Sequence, residues 1–383
     1  MRIGINGYEA VVPRFGFDRK TGLPLRVGSG EVSFELLKYL SEIDNKNEYS
    51  VFLPVKPSAD MPGESKNFKY VVFHAKKLWT LIGLSMKSKN YKLDVFFSPT
   101  HYLPFMTNAP SVISILDVSY LKFPQAFKRK DLYMLKYWGG FSIKKAKAII
   151  TISKSSRDDI IRSYHVPGDK VKVVYPGIKK DLRFKIKDLS METLKKKFGI
   201  ESPYILFVGT LQPRKNIIRL IEAFSLLKEQ GIKNEELQLV VVGRKGWMYE
   251  EILDAPAKYN VREKVKFLDS VEDSDLPSLY KNALCFCLPS LYEGFGLPVL
   301  EAMQYGCPVV TSNVSSLPEA GGDAALYFDP ENVQDIVRSL KLITENSKLR
   351  EELIKKGYEQ AAKFSWEKSA KQTLQILEEV AKK

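Results

Sequence analysis

Three cysteines and three histidines in 383 residues leave little room for chemistry built on thiols or imidazoles. The cysteines stand at 285, 287 and 307. Cys285 and Cys287 alternate along an apparent strand, where a disulfide is geometrically awkward and burial as small apolar side chains is favoured. Cys-x-Cys without a second cluster is also a poor zinc site. The expected compartment is therefore reducing, the cytoplasm. No apolar run reaches the ~18 residues that a membrane span needs. The opening Met1-Arg2-Ile3-Gly4-Ile5-Asn6-Gly7 lacks a long apolar stretch and a small-residue cleavage site, so it reads as a first strand and not as a signal peptide. It also lacks the third glycine and the distal acid of a dinucleotide fingerprint, which argues against a dehydrogenase. No internal repeat is visible.

What is present is a soluble globular composition, 44% hydrophobic and 27% charged, in a chain long enough for two or three domains. The net charge of +14 is uneven. Residues 1–187 hold 33 of the 59 Lys and Arg but only 16 of the 45 Asp and Glu, so all of the positive excess lies in the first half. Such a field favours an anionic partner: a phosphorylated substrate, an acidic membrane surface or nucleic acid. A solvated, solubilising surface is the other reading. No aromatic-interleaved basic motif or recognition module appears, and nucleic acid is not an expected partner.

Short apolar runs alternate with helical patterns along the first half. Strands are expected at 2–6, 50–54, 70–73, 94–97, 112–116, 148–152 and 171–174, with helices at 31–41, 77–87, 131–145 and 155–163. Tyr175-Pro176-Gly177 breaks the pattern, and the lysine-rich 179–197 reads as a linker. A second alternation places strands at 204–208, 237–242, 265–268, 284–288, 308–311 and 325–328, and the chain is mostly helical from 332 onward. The fold class is α/β: two doubly wound parallel-sheet domains, 1–185 and 186–363, with a final helix, 364–383, crossing back to the first. Such domains bind ligands at the carboxyl ends of their strands, and two of them would share a cleft.

Two constellations carry chemistry. Gly209-Thr210-Leu211-Gln212-Pro213-Arg214-Lys215-Asn216 follows a strand and opens a helix, with Pro213 suited to the first turn. Arg214 and Lys215 beside the exposed amides of a helix start make a pyrophosphate clamp; two surface cations beside a turn is the bland alternative. The second is Ser290-Leu291-Tyr292-Glu293-Gly294-Phe295-Gly296-Leu297-Pro298-Val299-Leu300-Glu301. Its glycines permit a tight loop and close approach of backbone to a ligand. Glu293 and Glu301 are acceptors suited to paired hydroxyls, as in sugar and ribose rings; complementing a helix dipole is the alternative. Asp273-Ser274-Asp275 looks like a metal-binding Asp-x-Asp, but its setting before Leu276-Pro277 predicts a helix cap. The segment 76–87, basic at its ends and apolar between, predicts a helix packed on the first sheet or lying on a membrane.

Together, the Phe207–Asn216 run, Leu239–Gly243, Pro289–Pro298 and Glu301–Val309 resemble the retaining glycosyltransferases of family 4, also called glycosyl transferases group 1. The resemblance covers residues 204–330 with high specificity and the rest more loosely. It implies a GT-B fold of two Rossmann-like domains, a nucleotide-diphosphate sugar as donor and transfer with retained configuration. It further implies that Arg214 and Lys215 hold the diphosphate, with Gly209 in the loop before them, and that Glu301 grips the ribose. Glu293 would contact the donor sugar, with the backbone of Gly294, Phe295, Gly296 and Leu297 approaching sugar and phosphate. Phe267 and Leu268 would flank the base, although Asp269 stands where the family has glycine. Gly28 and Gly30 match the family's glycine-rich loop. Many relatives read His-Asp-Leu where this chain has Leu116-Asp117-Val118; Asp117 keeps the acid, and His101 on a neighbouring strand end is an alternative imidazole. No metal and no other cofactor is expected, because two cations already serve the diphosphate. The acceptor is expected to be a saccharide or lipid-linked, with peripheral contact to an anionic membrane. GDP-mannose is the preferred donor over UDP-sugars, and a sugar-nucleotide epimerase or a phosphorylase is the alternative enzyme class.

Overall fold

The apolar runs become strands because most are bounded by Gly, Pro or Asn and all are too short for a helix. In the computed structural model, which describes all residues except 14–15, 19–20, 76–77, 179–188, 202, 232–235, 270 and 383, they assemble into two sheets. The first contains β1 (Arg2–Asn6), β2 (Glu48–Leu53), β3 (Phe68–Val72), β4 (Val95–Ser98), β5 (Ser111–Ser114), β6 (Ala148–Thr151) and β7 (Val171–Val173). The second contains β8 (Tyr204–Val208), β9 (Gln238–Val242), β10 (Val265–Leu268), β11 (Cys285–Leu288), β12 (Val309–Ser312) and β13 (Ala325–Phe328). The orders are β3-β2-β1-β4-β5-β6-β7 and β10-β9-β8-β11-β12-β13. Every strand pairing is parallel.

Parallel strands covered on both faces need apolar residues at successive positions. β4, β5, β6, β9, β11 and β12 are buried at every residue. Around the first sheet the two faces feed two cores. Val51, Leu53, Val95 and Phe97 pack on one side, and their neighbours Phe52 and Phe96 on the other.

The chain divides into two compact units, Met1–Gly177 with Ser365–Lys383, and Ile178–Phe364. The final helix, Trp366–Ala381, belongs to the first unit, where Trp366, Ala370 and Leu377 join the core of Ile3, Leu36 and Leu40. The expected 185/186 boundary lies outside the described residues. Part of the lysine-rich stretch is a helix and not a linker: Met191–Phe198 is capped by the Ser190 hydroxyl. The expected helix at 131–145 begins earlier, as Arg129–Met134, and runs through wider π-type turns at Leu135–Gly139 into Gly140–Lys145. The start of the one expected at 77–87 lies outside the described residues; Trp79–Gly83 and Leu84–Ser88 are helical. Among the described residues no helix is long and apolar enough to cross a membrane.

Candidate functional site

In each sheet the first strand lies in the middle, and the order of later strands reverses beside it, between β1 and β4 and between β8 and β11. The loops leaving such neighbours diverge and open a crevice at the strands' carboxyl ends. In the second unit those loops are the two constellations of the sequence.

The loop after β8 is tied to the loop after β9 by the amides of Gly209, Leu211 and Gly246, which donate to Val242, Arg244 and Leu211 carbonyls at 2.9 Å each. A Cβ on Gly243 would lie 1.8 Å from the Gly209 carbonyl oxygen, so only glycine permits the approach. Pro213–Lys215 then forms a single 3-10 turn, and Asn216, with φ +58°, caps the helix Ile217–Glu229 by position. Arg214 and Lys215 therefore precede the α-helix instead of lying within its first turn. The buried Asn216 Nδ2 donates to the Pro330 carbonyl at 2.8 Å and holds the corner.

Glu293 reaches this turn from the loop after β11. Lys215 Nζ donates to Glu293 Oε1 at 2.5 Å, Arg214 Nη1 to Oε2 at 3.2 Å, and the Ser290 hydroxyl to Oε1 at 2.6 Å. Arg214 also donates to the Tyr292 carbonyl. Lys215 and Glu293 are 8% and 7% exposed, so the pair is screened little by water. Burial pushes the Glu293 carboxyl up, but the charges of Lys215 and Arg214, with hydrogen bonds from Lys215 and Ser290, outweigh it and hold the group at about 2. The Glu293 amide donates to the Ser315 hydroxyl at 2.9 Å, and the Ser316 hydroxyl donates to the Glu293 carbonyl at 2.8 Å. Ser315 and Ser316 lie outside both constellations of the sequence, and Ser290, which opens the second, had no role assigned to it there. Ser290 sits three positions before Glu293, the one local signal available.

Gly296, with φ +105°, starts the helix Leu297–Gln304, and a Cβ there would press on Leu317 at 2.8 Å. Gly294 and Phe295 are buried, and the Phe295 ring packs edge-on against Phe364 at 5.3 Å. Glu301, half-buried, lies in the second turn and accepts from the Tyr280 hydroxyl at 3.2 Å. Burial first, then the Glu301 charge, raises that phenol well above its ordinary value. Phe267 and Leu268 end β10, where consecutive side chains point to opposite faces. Phe267 lines a cavity of about 340 Å³ with Leu253, Pro256 and Val265, and the Leu268 carbonyl accepts from Gly243 at 2.9 Å.

Asp275 stands at the N-cap position of Leu276–Asn282 but makes no side-chain cap; its carboxylate pairs with Lys197. Among the described residues no three His, Cys, Asp or Glu side chains converge as a metal site. The three cysteines are free and buried. Burial pushes the Cys285 thiol up to about 12 and raises Cys287 and Cys307 as well, which makes them inert.

Gly28, Gly30, His101 and Asp117 belong to the first unit. Gly28, with φ +54°, precedes the helix Ser29–Ile43, and Ser29 donates to Glu9 Oε2 at 3.1 Å. His101 follows β4 and is half-buried, its ring 6.3 Å from that of Tyr102. Asp117 accepts from the Ser119 amide at 2.8 Å, an Asx-type turn opening Ser119–Lys122.

Comparison with known proteins covers both units. Residues 190–360 match the model for "Glycosyl transferases group 1", and 28–182 that for "Glycosyltransferase Family 4". O-antigen chain mannosyltransferase B of Escherichia coli is 34% identical over 287 residues, 75% of this chain and 74% of that one. Among solved structures, sucrose-phosphate synthase from Thermosynechococcus elongatus superposes with a TM-score of 0.74 at 18% identity, covering 99% of this chain and 98% of that one. Anabaena HepE in complex with UDP-glucose gives 0.71 at 16%, covering 99% and 100%.

Proposed function

Since this chain belongs to the family 4 glycosyltransferases and has their GT-B fold, we propose that it moves a hexose from a nucleotide-diphosphate sugar to a saccharide or lipid-linked acceptor in polysaccharide synthesis. Mannose from GDP-mannose is the preferred donor, in keeping with the mannosyltransferase named above. The reaction retains the anomeric configuration and proceeds in the cytoplasm.

One observation carries the reading: Arg214 and Lys215 converge on Glu293 at the carboxyl ends of β8 and β11. Arg214 and Lys215 thus stand side by side at a strand-end corner largely shielded from water, held there by Glu293. Two cations so placed would bind a diphosphate and stabilise its charge as it departs. Glu293 is ionised throughout the physiological range and both of its oxygens are engaged. That favours positioning of cations and sugar hydroxyls over nucleophilic attack, and a same-face route in which the leaving phosphate takes the acceptor proton. Glu301 serves the ribose. His101 and Asp117, with the helix start at Gly28 and Gly30, are the first unit's candidates for substrate contact.

The deciding experiment is a thermal-shift panel of GDP, UDP, ADP and their sugars in EDTA, followed by transfer assays with the donors that bind. GDP-mannose is expected to raise the melting temperature most and to be consumed without added metal. A larger shift with UDP-glucose overturns the donor, rescue of activity by Mg²⁺ or Mn²⁺ overturns metal independence, and a glycosyl ester trapped on Glu293 overturns the route.

A further inference from the structure

The helical run 129–145 keeps three aromatic rings in water at four-residue spacing. Tyr133 is 57% exposed, Tyr137 62% and Phe141 40%. Residues four apart share one helix face, and the Tyr133 and Tyr137 rings lie 4.5 Å apart. The stripe continues onto the next segment, where the Phe141 ring meets Phe105 edge-on at 5.5 Å, and Met106 beside it is half in water. Lys145 Nζ bolts that segment to the helix by donating to the carbonyls of Pro104 and Phe105 at 2.7 and 2.9 Å. On its far side, the Phe105 and Met106 amides donate to the Leu81 carbonyl and the Ser85 hydroxyl at 3.0 and 3.1 Å. That joins the helical turns of 79–88, which bury Trp79, Leu81 and Leu84 but leave Ile82 and Met86 exposed. Scattered exposed apolar residues are ordinary; here the three segments that carry them are joined to one another by hydrogen bonds.

The band runs through a strongly basic stretch. Residues 76–147 contain 13 Lys and Arg against three acidic residues, and Lys128, Arg129, Lys130, Lys136 and Lys144 are exposed on the aromatic helix or beside it. Protein-binding surfaces are depleted in lysine at their centres. Aromatic and methionine side chains interleaved with long lysines match an interface of acyl chains and anionic headgroups, where Tyr holds its hydroxyl in water and Lys extends to phosphate.

We propose that this face, built from 129–145, 103–106 and the exposed side of 79–88, docks the protein on an anionic lipid bilayer. The docking surface deepens the lipid-linked acceptor proposed above and rests on that reading for its purpose. Vesicle binding needs no donor, so either idea can fail alone.

The test is flotation of the full chain with vesicles of phosphatidylcholine alone or mixed with phosphatidylglycerol. Binding is expected only to the mixed vesicles, with release as salt rises. Lys136→Ala should lower the partition coefficient about fivefold, the equivalent of ~1 kcal/mol per basic residue near the surface. Tyr133→Ser with Tyr137→Ser should lower it by roughly tenfold or more. Melting temperatures and transfer to a soluble saccharide should stay unchanged, because these side chains are already in water. Absence of wild-type binding at low salt overturns the proposal, as does wild-type binding by both variants. A concentration-dependent dimer abolished by the tyrosine variant, without vesicle binding, would assign the face to a second copy.

Discussion

Glu293 pairs at once with the buried Lys215 and the partly buried Arg214, and that fixes what its removal does. Deleting one member of a buried ion cluster leaves charge stranded, at a cost of about 3–5 kcal/mol. Glu293→Ala is therefore expected to lower stability by that amount in urea unfolding and to abolish transfer. The acid dependence follows from the same geometry. The folded carboxyl is depressed to about 2, below the ~4.3 of an unfolded chain, so its contribution is complete above the unfolded value and disappears as pH falls through the folded one. Unfolding of the native chain compared with Glu293→Gln should show a gap that is constant near neutrality and closes between about 4.3 and about 2. A gap that persists below 2 would mean the carboxylate charge is not the source. Arg214, Lys215 and Glu293 were legible because each stands in a run of glycines and prolines with few other structural uses. Their mutual pairing was not, since the cations and the acid are 78 and 79 positions apart in sequence. The hydroxyls of Ser315 and Ser316 were hidden for the same reason: nothing in a serine signals a backbone carbonyl 22 or 23 residues earlier.

Strands and loops show where local pattern suffices. Every expected strand is present, with no end moved by more than two residues, because a fully covered parallel strand must be apolar at consecutive positions. One-turn elements such as Tyr8–Val11 and Ser119–Lys122 left no periodicity to read. Asp275 carried a plausible cap signal, but the charge of Lys197, contributed by a distant helix, captured its carboxylate. The loop after β8 depends on the glycine of its neighbour. Gly243→Ala must push the Gly209 carbonyl away and so displace Arg214 and Lys215 through the shared loop. The expected result is a lower melting temperature and a donor affinity reduced by at least tenfold, measured by calorimetry. Native affinity in a folded Gly243→Ala protein would show that the loop is not what places the cations.

At the scale of the molecule, the first unit is completed by residues that follow the second in sequence. Trp366 is 2% exposed and sits in the core of β1, β2 and the helix Ser29–Ile43. Trp366→Ala should cost about 3–5 kcal/mol in chemical denaturation, the range for emptying a large aromatic site. Tyr175-Pro176-Gly177 marks one crossing by its proline and glycine, whereas Phe364-Ser365 lies between helices with neither, and there the expectation of a final helix, 364–383, crossing back to the first domain stood in for a local signal.

That second crossing lies against the first. A Cβ on Gly177 would come within 2.0 Å of the Trp366 amide nitrogen, and the Ser369 hydroxyl donates to the Tyr175 carbonyl at 2.5 Å. The entry to and exit from the second unit are thus stapled side by side, and that unit is topologically an insert with adjoining ends. A module held this way can be exchanged at one seam: replacing 178–364 by the equivalent stretch of another glycosyltransferase breaks the chain at neighbouring points and leaves the first unit's core intact. On the function proposed above, donor preference is expected to travel with 178–364 in such an exchange, as transfer assays with a panel of nucleotide sugars would read.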